Sequence, residues 1–347
     1  MQALTVFPGS PGSLRLDDIL APAPSADHLL VHAVALGICG TDREILAGHY
    51  GTAPPGHDRL VIGHESLGIV EHAPAGSGFT PGDRVVGVVR RPDPVPCPAC
   101  AVGEWDMCRN GRYTERGIKE RDGFGAERFL LDPAFAVKVD GDLGLHAVLT
   151  EPASVVAKAW DHIERIGARS LAWRCRTVLV TGAGPIGLLA ALMAVQRGHT
   201  VHVLDRAERG PKPDLVRALG ATYHTGDLGD LCPDVVVECT GAPKVIVDAL
   251  GRNARDGIVC LTGVSSGGYL MKFDVGDFNR EMVLENIVVF GSVNANLRHY
   301  RMALAALAKA DPRWLDRLIT RRVPLARWRD AFDKRDDDIK VVITFPE

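Results

Sequence analysis

One short stretch of the chain carries residue types that could bind a reactive metal ion. Cys39 follows a Gly-Ile pair, and His64-Glu65 comes further along the chain. A thiolate, an imidazole and a carboxylate are ligands that Zn²⁺ accepts, and a catalytic zinc site keeps three protein ligands and one open position. Taken singly, each residue is more often structural, since a lone histidine usually serves as a hydrogen-bonded core or surface group. The combination predicts a zinc ion that acts as a Lewis acid.

Three further residues could complete or support this predicted site. Glu151 could supply a second carboxylate, so that Glu65 and Glu151 exchange with water during turnover. Asp42 lies three residues after the cysteine and could orient the imidazole ring. Thr41 could pass on a proton from a substrate hydroxyl. The predicted metal ligands are therefore Cys39, His64, Glu65 and Glu151, and the predicted catalytic groups are Thr41 and Glu65.

A second set of cysteines has the spacing of a structural metal lobe. Cys97-x-x-Cys100 is followed by Cys108, and paired cysteines with a third nearby are typical of structural zinc. The set is one ligand short, because the C-x₂-C-x₂-C-x₇-C pattern would need its first ligand at Pro94. Asp93 or Asp106 could supply the fourth ligand, or the lobe could bind zinc weakly. Three reduced surface cysteines without a metal are the alternative.

A glycine-rich loop follows a predicted strand and opens a predicted helix. The loop reads Gly182-Ala183-Gly184-Pro185-Ile186-Gly187, and the strand before it is Thr177–Val180. Glycines there allow a tight turn and close approach of the backbone to a pyrophosphate, and the helix N-terminus supplies N–H groups. Asp205 ends the next strand, where an acid would bind the ribose hydroxyls of NAD. The motif alone is weak evidence, but in this context it predicts a dinucleotide site.

The residues around Asp205 leave the choice of cofactor open. A solvated turn carboxylate is the alternative role for Asp205, and Arg206 and Arg209 could hold a 2′-phosphate. We expect NAD to be preferred and NADP to be used as well. The predicted cofactor contacts are Gly182, Gly184, Pro185, Ile186, Gly187, Asp205 and Arg206.

The elements that must position these groups change character near the middle of the chain. The first half predicts short strands between turns, at Leu29–Leu36, Ser66–His72 and Arg84–Val89. A helix is predicted to begin at Glu151-Pro152. From Thr177 on, apolar strands alternate with helices, which is typical of a parallel sheet covered on both faces. The further elements are a helix at Ile186–Val195, strands at Thr200–Leu204, Asp234–Glu238, Gly257–Leu261 and Ile287–Phe290, a helix at Leu297–Lys309 and a last strand at Ile339–Phe345.

Composition excludes several classes of protein. At 347 residues the chain exceeds the usual size of one hydrophobic core, so two domains are expected. A net charge of −3 gives no electrostatic reason to expect nucleic acid or an anionic membrane as a partner. No apolar run is long enough to span a bilayer, and no export signal opens the chain. We therefore expect a cytoplasmic protein whose eight cysteines are reduced.

These residues together resemble the zinc-dependent medium-chain dehydrogenases, and more narrowly their glucose 1-dehydrogenase branch. The marks of the superfamily are Gly37-Ile38-Cys39-Gly40-Thr41-Asp42, Gly63-His64-Glu65, Gly82-Asp83-Arg84-Val85 and the nucleotide loop. The marks of the branch are Val89-Arg90-Arg91-Pro92, Tyr113-Thr114-Glu115-Arg116-Gly117-Ile118, Asp122-Gly123-Phe124, Glu151-Pro152, Phe278-Asn279-Arg280-Glu281-Met282-Val283 and Gly291-Ser292-Val293-Asn294. The likeness covers essentially the whole chain.

The resemblance implies an α/β protein of two domains. One is a GroES-like, β-rich catalytic domain formed by residues 1–165 and 295–347. The other is a Rossmann domain with a doubly wound parallel sheet, residues 166–294, and substrate and zinc lie in the cleft. Family members are usually tetramers or dimers, so a homo-oligomer is expected, a homotetramer by preference.

The resemblance also implies roles for particular residues. Cys39, His64 and Glu151 would hold the catalytic zinc, with Glu65 near or on the metal. The implied substrate contacts are Glu115, Glu151, Asn294 and His299, and Asn294 is implied at the cofactor too. Two departures matter: the lobe lacks one cysteine, and Asp205 precedes Arg206-Ala207 where some relatives place two arginines for NADP.

The activity that the resemblance implies is oxidation of D-glucose at C1, with related aldoses as further candidate substrates. Zinc would polarise the C1 hydroxyl, Thr41 or a water held by Glu65 would relay the proton, and hydride would move to the nicotinamide. The alternative within enzymology is another polyol or amino-alcohol dehydrogenase of the same superfamily. An alternative from another class is a zinc-free nicotinamide-binding protein with a sensory or structural role, which the four retained metal-ligand types disfavour.

Overall fold

A computed structural model describes residues 1–139, 141–265 and 267–346 of the chain. The strands are β1 (Gln2–Val6), β2 (Arg15–Asp18), β3 (Leu29–Ile38), β4 (Leu60–Val61), β5 (Glu65–His72), β6 (Arg84–Gly87), β7 (Arg90–Arg91), β8 (Thr114–Arg116), β9 (Glu120–Arg121), β10 (Arg128–Leu131), β11 (Ala136–Lys138), β12 (Thr177–Thr181), β13 (Thr200–Leu204), β14 (Thr222–His224), β15 (Val235–Glu238), β16 (Ile258–Leu261), β17 (Val288–Gly291), β18 (Ile319–Pro324) and β19 (Lys340–Thr344). The α-helices are α1 (Gly40–Leu46), α2 (Pro98–Ala101), α3 (Thr150–Gly167), α4 (Pro185–Gln196), α5 (Pro211–Ala218), α6 (Pro243–Leu250), α7 (Val275–Leu284), α8 (Leu297–Ala308), α9 (Pro312–Leu318) and α10 (Arg329–Phe332).

The chain divides into two compact units. The first unit joins Met1–Ser154 to Asn294–Glu347, and the second is Val155–Val293. The boundaries fall inside α3 and just after β17. The first unit therefore depends on chain segments that lie far apart in the sequence.

The first unit is built around strand β3. Its largest sheet has seven strands in the order β11-β6-β5-β3-β19-β18, with β10 also paired to β3. The C-terminal strand β19 runs antiparallel to β3, with Val342 opposite Gly37. Nearly all residues of β3 are buried, because the hydrophobic core of this unit packs on it. Buried members of this core include Leu4, Val31, Leu36, Ile62, Phe124, Phe129 and Ile343.

Two small sheets flank this core. The first has the strand order β2-β1-β4, and the second joins β7, β8 and β9. In the second, Arg90 lies opposite Glu115 across an antiparallel pair. A charged pair of this kind is compatible with burial only when its members satisfy each other, and both side chains are indeed buried.

The second unit is a parallel sheet covered by helices. Its six strands follow the order β14-β13-β12-β15-β16-β17, and every pairing is parallel. Counted from β12, this order is 3-2-1-4-5-6, the arrangement of a doubly wound nucleotide-binding sheet. Every residue of helix α4 from Gly187 to Ala194 is buried, which explains why its sequence is apolar on all sides.

The predicted elements agree with this fold apart from details. The strand at Thr200–Leu204 has the predicted bounds, and the helix predicted from Glu151 begins at Thr150. Strand β6 ends at Gly87 rather than Val89, since the Val88 N–H donates to Phe135 O instead of to a strand partner. The two-residue strands β7 and β9 carry no sequence signal of their own. No helix of the described residues is long and apolar enough to cross a membrane.

Candidate active site

The turn between β3 and α1 presents Cys39, the first of the side chains that could bind a metal ion. Cys39 is the N-cap of α1, and its Sγ accepts a hydrogen bond from the Thr41 N–H at 3.2 Å. The Asp42 carboxylate accepts in return from the Cys39 N–H at 2.9 Å. This reciprocal capping fixes the backbone at the cysteine. The sulfur therefore has a defined direction before any ligand binds.

Strand pairing brings the imidazole to this sulfur. Residue 37 of β3 lies opposite Glu65 of β5, so His64 and Cys39 emerge at neighbouring strand ends. The His64 Nε2 atom lies 3.0 Å from Cys39 Sγ. On the other side of the ring, Nδ1 lies 3.4 Å from Asp42 Oδ1. Asp42 thus holds the ring in the orientation that points Nε2 at the sulfur.

The electrostatics of this pair favour a cation between its atoms. Burial disfavours the charged imidazolium, but the Cys39 and Asp42 side chains outweigh burial and hold the pKa of His64 well above its ordinary value. The donor atoms of Cys39, His64 and Glu65 all lie within 4.8 Å of one another. Sulfur, imidazole and carboxylate that converge in this way fit a zinc ion.

A buried lysine holds Glu65. Lys340, the first residue of β19, donates to both Glu65 oxygens at 2.7 and 2.6 Å and to Ile38 O at 3.2 Å. Burial opposes its charge, but the Glu65 carboxylate keeps the pKa of Lys340 raised. Gly37 leaves the room for this pair, because a Cβ there would lie 2.0 Å from Glu65 Oε2. Sequence analysis missed Lys340, although a lysine that opens an apolar strand was a usable signal.

Glu151 lies near this group but outside it. It sits in the first turn of α3, and it is not among the donors that lie within 4.8 Å of one another. Burial raises the pKa of Glu151 to about 7, and the Glu65 carboxylate adds to the shift. Thr41 contributes its backbone N–H to Cys39 Sγ.

The predicted sugar contacts Glu115 and Asn294 touch each other. Asn294 Nδ2 donates to Glu115 Oε1 at 2.6 Å. Arg90, which sequence analysis gave no role, donates to the same oxygen through Nε at 3.0 Å and Nη2 at 2.9 Å. The Arg90 guanidinium also stacks on the Tyr113 ring, 3.7 Å from its centroid. These contacts fix one carboxylate oxygen, while among the described residues no donor reaches Oε2.

His299 lies in the same network, but it has no direct contact with Glu115 among those of the described residues. It is fully buried in the first turn of α8. The Asn296 N–H donates to His299 Nδ1 at 3.3 Å, and Arg298 Nη2 lies 3.3 Å from Nε2. Asp106 Oδ2 lies 3.9 Å from Nδ1. His299 is therefore joined to Asp106 and Asn296 rather than directly to Glu115.

The three lobe cysteines converge. The sulfurs of Cys97, Cys100 and Cys108 lie within 4.8 Å of one another. A hydrogen bond from the Arg109 N–H lowers the pKa of Cys97 to about 6, and burial raises that of Cys100 to about 11. Three thiols at these distances suit a soft metal ion.

Both acids considered as a fourth lobe ligand accept hydrogen bonds from other residues. Asp93 accepts from the Val95 N–H, Asn110 and Arg112 at 2.9, 2.9 and 3.2 Å. Asp106 accepts from Asn296 Nδ2 at 2.8 Å. Neither carboxylate belongs to the converging group of donors. A fourth protein ligand for the lobe therefore stays a prediction.

The glycine loop has the geometry that phosphate binding needs. Gly182 has a φ of +91°, and a Cβ at Gly187 would lie 1.7 Å from Gly182 O. A Cβ at Gly184 would meet nothing within 4 Å, so the backbone there is open to a ligand. Pro185 and Ile186 form the first turn of α4. The turn thus requires glycine at Gly182 and Gly187. At Gly184 a side chain would take up the space through which a ligand reaches the backbone.

Asp205 is tied into this loop. Its Oδ2 accepts from the Ala183 N–H at 2.7 Å and its Oδ1 from the Ala207 N–H at 3.0 Å. Lys212 Nζ lies 3.3 Å from both oxygens. Burial opposes the charge, but these partners keep the pKa of Asp205 lowered. Arg206 and Arg209 are exposed beside it, and sequence analysis missed Lys212.

A cavity opens beside the same strand ends. Its volume is about 710 Å³, and its lining includes Leu204, Leu228, Lys244, Phe273 and Phe278. Leu204 directly precedes Asp205. These apolar side chains lie among charged groups, since the lining also includes Asp227, Asp248, Arg252, Asp274, Asp277 and Glu281.

Comparison with known proteins gives consistent similarities along the whole chain. Residues 25–141 match the family model of the alcohol dehydrogenase GroES-like domain, and residues 144–345 match that of the glucose dehydrogenase C-terminus. The chain is 41% identical to glucose 1-dehydrogenase 1 of Caldivirga maquilingensis, over 99% of this chain and 98% of that protein. It is also 41% identical to glucose 1-dehydrogenase of Thermoproteus tenax, over 99% of both. Haloferax mediterranei glucose dehydrogenase, solved in complex with NADP, Zn and gluconolactone, superimposes with a TM-score of 0.92 at 31% identity over 100% of both chains.

The buried Lys340–Glu65 pair allows a direct test of its contribution to stability. Lys340→Met should lower the free energy of unfolding by about 3–5 kcal/mol, because Glu65 is left buried without its cation. Urea unfolding measures this. Lys138→Met is the matched control, since its partner Asp83 lies 2.8 Å away but the lysine is 43% exposed, and the loss should stay below about 1 kcal/mol. Equal losses in the two variants would contradict a special role for the buried pair.

Proposed function

The chain belongs to the zinc-dependent medium-chain dehydrogenases, in their glucose 1-dehydrogenase branch, and on that premise we propose that it oxidises D-glucose at C1 to the lactone with hydride transfer to NAD or NADP. The observation that carries the proposal is the Cys39–His64 pair, in which a buried imidazole faces a half-buried thiol with 3.0 Å between Nε2 and Sγ. The carboxylate–arginine–amide set of Glu115, Arg90 and Asn294 in the same unit supports a substrate rich in hydroxyls.

Cys39, His64 and Glu65, whose donor atoms converge, would hold the metal, and Glu151 beside them is the further ligand that the resemblance implies. The bound zinc ion supplies a Lewis acid that favours ionisation of a hydroxyl. Asp42 orients the imidazole, and Lys340 sets the position of the Glu65 carboxylate. Thr41, at the start of α1, could accept the hydroxyl proton and pass it to solvent. Each of these residues belongs to the first unit.

Glu115 is the central group for sugar recognition in this proposal. Its Oε1 is occupied by Arg90 and Asn294, so Oε2 is the oxygen that would accept from a ring hydroxyl. A charged acceptor makes a stronger hydrogen bond than a neutral one. Holding the ring in this way aligns C1 for hydride transfer, which depends on close approach of the two carbons. His299 would contribute a further polar contact.

The geometry around Asp205 supports use of both cofactors. A carboxylate at the end of β13 favours the ribose hydroxyls of NAD. Lys212 offsets the charge that would repel a 2′-phosphate, and the exposed Arg206 and Arg209 add positive charge. We expect NAD to be preferred and NADP to be used as well.

The enzyme would be a homo-oligomer. Strand β17 forms one edge of the six-stranded sheet, and an unpaired edge readily pairs with another chain. Large apolar side chains are exposed on the same unit: Val264, Leu270, Val275, Val283 and Leu284. A second copy that covers them would remove this surface from water.

Activity measurements with a metal chelator test the proposal. Purified protein should form NADH and NADPH with D-glucose faster than with galactose, xylose or ethanol, and chelation should abolish the rate. Cys39→Ala should abolish turnover while NADH still binds, because the cofactor loop lies in the other unit. Cys232→Ala, at an exposed cysteine of that unit, is the control and should be fully active. Sugar turnover that survives Cys39→Ala would refute the zinc mechanism, and activity on a polyol or amino alcohol alone would favour the alternative substrate class.

Cofactor choice can be tested at Lys212 and Asp205. Lys212→Met should lower the ratio of kcat/KM for NADP to that for NAD by about tenfold, or ~1.4 kcal/mol, because the carboxylate loses its countercharge. Asp205→Ser should raise the ratio. Steady-state kinetics with both cofactors gives both values. Ratios that stay at the wild-type value would remove this pair from the account of specificity.

The oligomer can be tested by light scattering on the purified protein. The measured mass should be at least twice the mass of one chain. Leu284→Arg should shift it towards the monomer, because the charge would be buried against a second copy. The same substitution at Leu20, an exposed leucine of the first unit, should leave the mass unchanged. A monomeric wild-type protein would contradict this part of the proposal.

A further inference from the structure

Asp106 belongs to the cysteine lobe by sequence, but its side chain is bonded outside the lobe. It lies in a single 3-10 turn, Trp105–Met107, and is buried there. Cys108 follows two residues later. The Asp106 carboxylate accepts from Asn296 Nδ2 at 2.8 Å and approaches His299 Nδ1 at 3.9 Å. A buried carboxylate is costly unless it is paired, so these partners determine where it sits.

One connection runs from Asp106 to Glu115 through Arg90. Arg90 Nη1 donates to the backbone oxygen of Asp106 at 3.2 Å. The same guanidinium donates twice to Glu115 Oε1, at 3.0 and 2.9 Å. Because the guanidinium is planar and rigid, fixing one of its edges fixes the direction of the others.

A second connection runs through the segment before α8. Asn296 is the N-cap of α8, and its Oδ1 accepts from the Arg298 N–H at 3.0 Å. Two residues earlier, Asn294 has a φ of +62° and donates to Glu115 Oε1 at 2.6 Å. A non-glycine residue in the left-handed region needs its surroundings to hold it there. The Asp106–Asn296 bond supplies that restraint on one side of Asn294.

Both connections end on the same carboxylate oxygen. We propose that Asp106 is a positioning residue for sugar recognition, which fixes Asn296, and with it Asn294, so that Glu115 presents Oε2 to a ring hydroxyl. This inference rests on the proposed oxidation of a sugar. The residue acts through Glu115 and does not itself touch the substrate.

Substitution of Asp106 should change sugar affinity more than turnover. Asp106→Ala should raise KM for D-glucose at least about tenfold, as expected for loss of a buried charged hydrogen bond, and leave kcat within about threefold. Asp106→Asn keeps an acceptor for Asn296 and should recover part of the affinity.

Asp93 provides a matched control within the lobe. It is buried like Asp106, but its partners Val95, Asn110 and Arg112 do not include any residue of the sugar-binding set. Asp93→Asn should therefore leave KM for D-glucose within about twofold of wild type. Equal increases in Asp106→Asn and Asp93→Asn would overturn the proposal, because a loosened lobe alone would then explain both.

Equilibrium binding separates positioning from general loss of structure. Calorimetry with D-glucose and the enzyme–NADPH complex, which cannot turn over, should show a Kd that rises with KM in Asp106→Ala. Binding of monodeoxy glucoses to the wild-type enzyme identifies the hydroxyl whose removal weakens affinity most. In Asp106→Ala, the difference in affinity between glucose and that deoxy sugar should largely disappear. Unchanged discrimination would overturn the inference. A wild-type protein that neither binds nor oxidises any sugar would instead overturn the proposed function.

Discussion

The ion pair between Lys340 and Glu65 connects the end of the chain to the metal-type site. Both side chains are buried, and they are separated by 275 positions in the sequence. A buried charge without a partner is far more costly than a buried pair, so the Glu65 carboxylate depends on β19 to bring Lys340 beside it. The register of β19 against β3 is thereby linked to the position of the carboxylate beside Cys39 and His64. The site is therefore complete only when the C-terminal strand is paired with β3.

The proposed sugar-binding set shows the same principle with different groups. Arg90, Glu115 and Asn294 come from three separate segments of the first unit, and each satisfies the polar groups of the others. Since the interior strengthens electrostatic interactions, a complete set of partners makes such a network rigid, whereas a missing partner is costly. In both places the carboxylate is restrained by a buried cation on one side. The geometry offered to a substrate is therefore present in the protein without it.

The sequence allowed prediction of those features that depend on local patterns. Strand β13, the glycine loop and the helix that starts near Glu151 follow from periodicity and turn residues. The Cys39–His64 contact could be expected from residue types that suit one metal. Lys340, Arg90 and Lys212 could not be placed, because their roles depend on which distant residue lies opposite them. Asp106 shows the same dependence: its place near Cys108 in the sequence does not indicate its hydrogen bond with Asn296, which lies far along the chain.

Cys39 combines two tasks in one sulfur atom. Its Sγ atom faces His64, and the same atom accepts a hydrogen bond from the Thr41 N–H in the first turn of α1. Oxidation to a sulfinate, which cellular reductants do not readily reverse, would remove the soft donor and replace the cap with a bulkier group. Damage to a single atom would thus destroy metal affinity and loosen the start of a helix together. Oxidation at this one position would therefore change both the candidate site and the backbone that presents it.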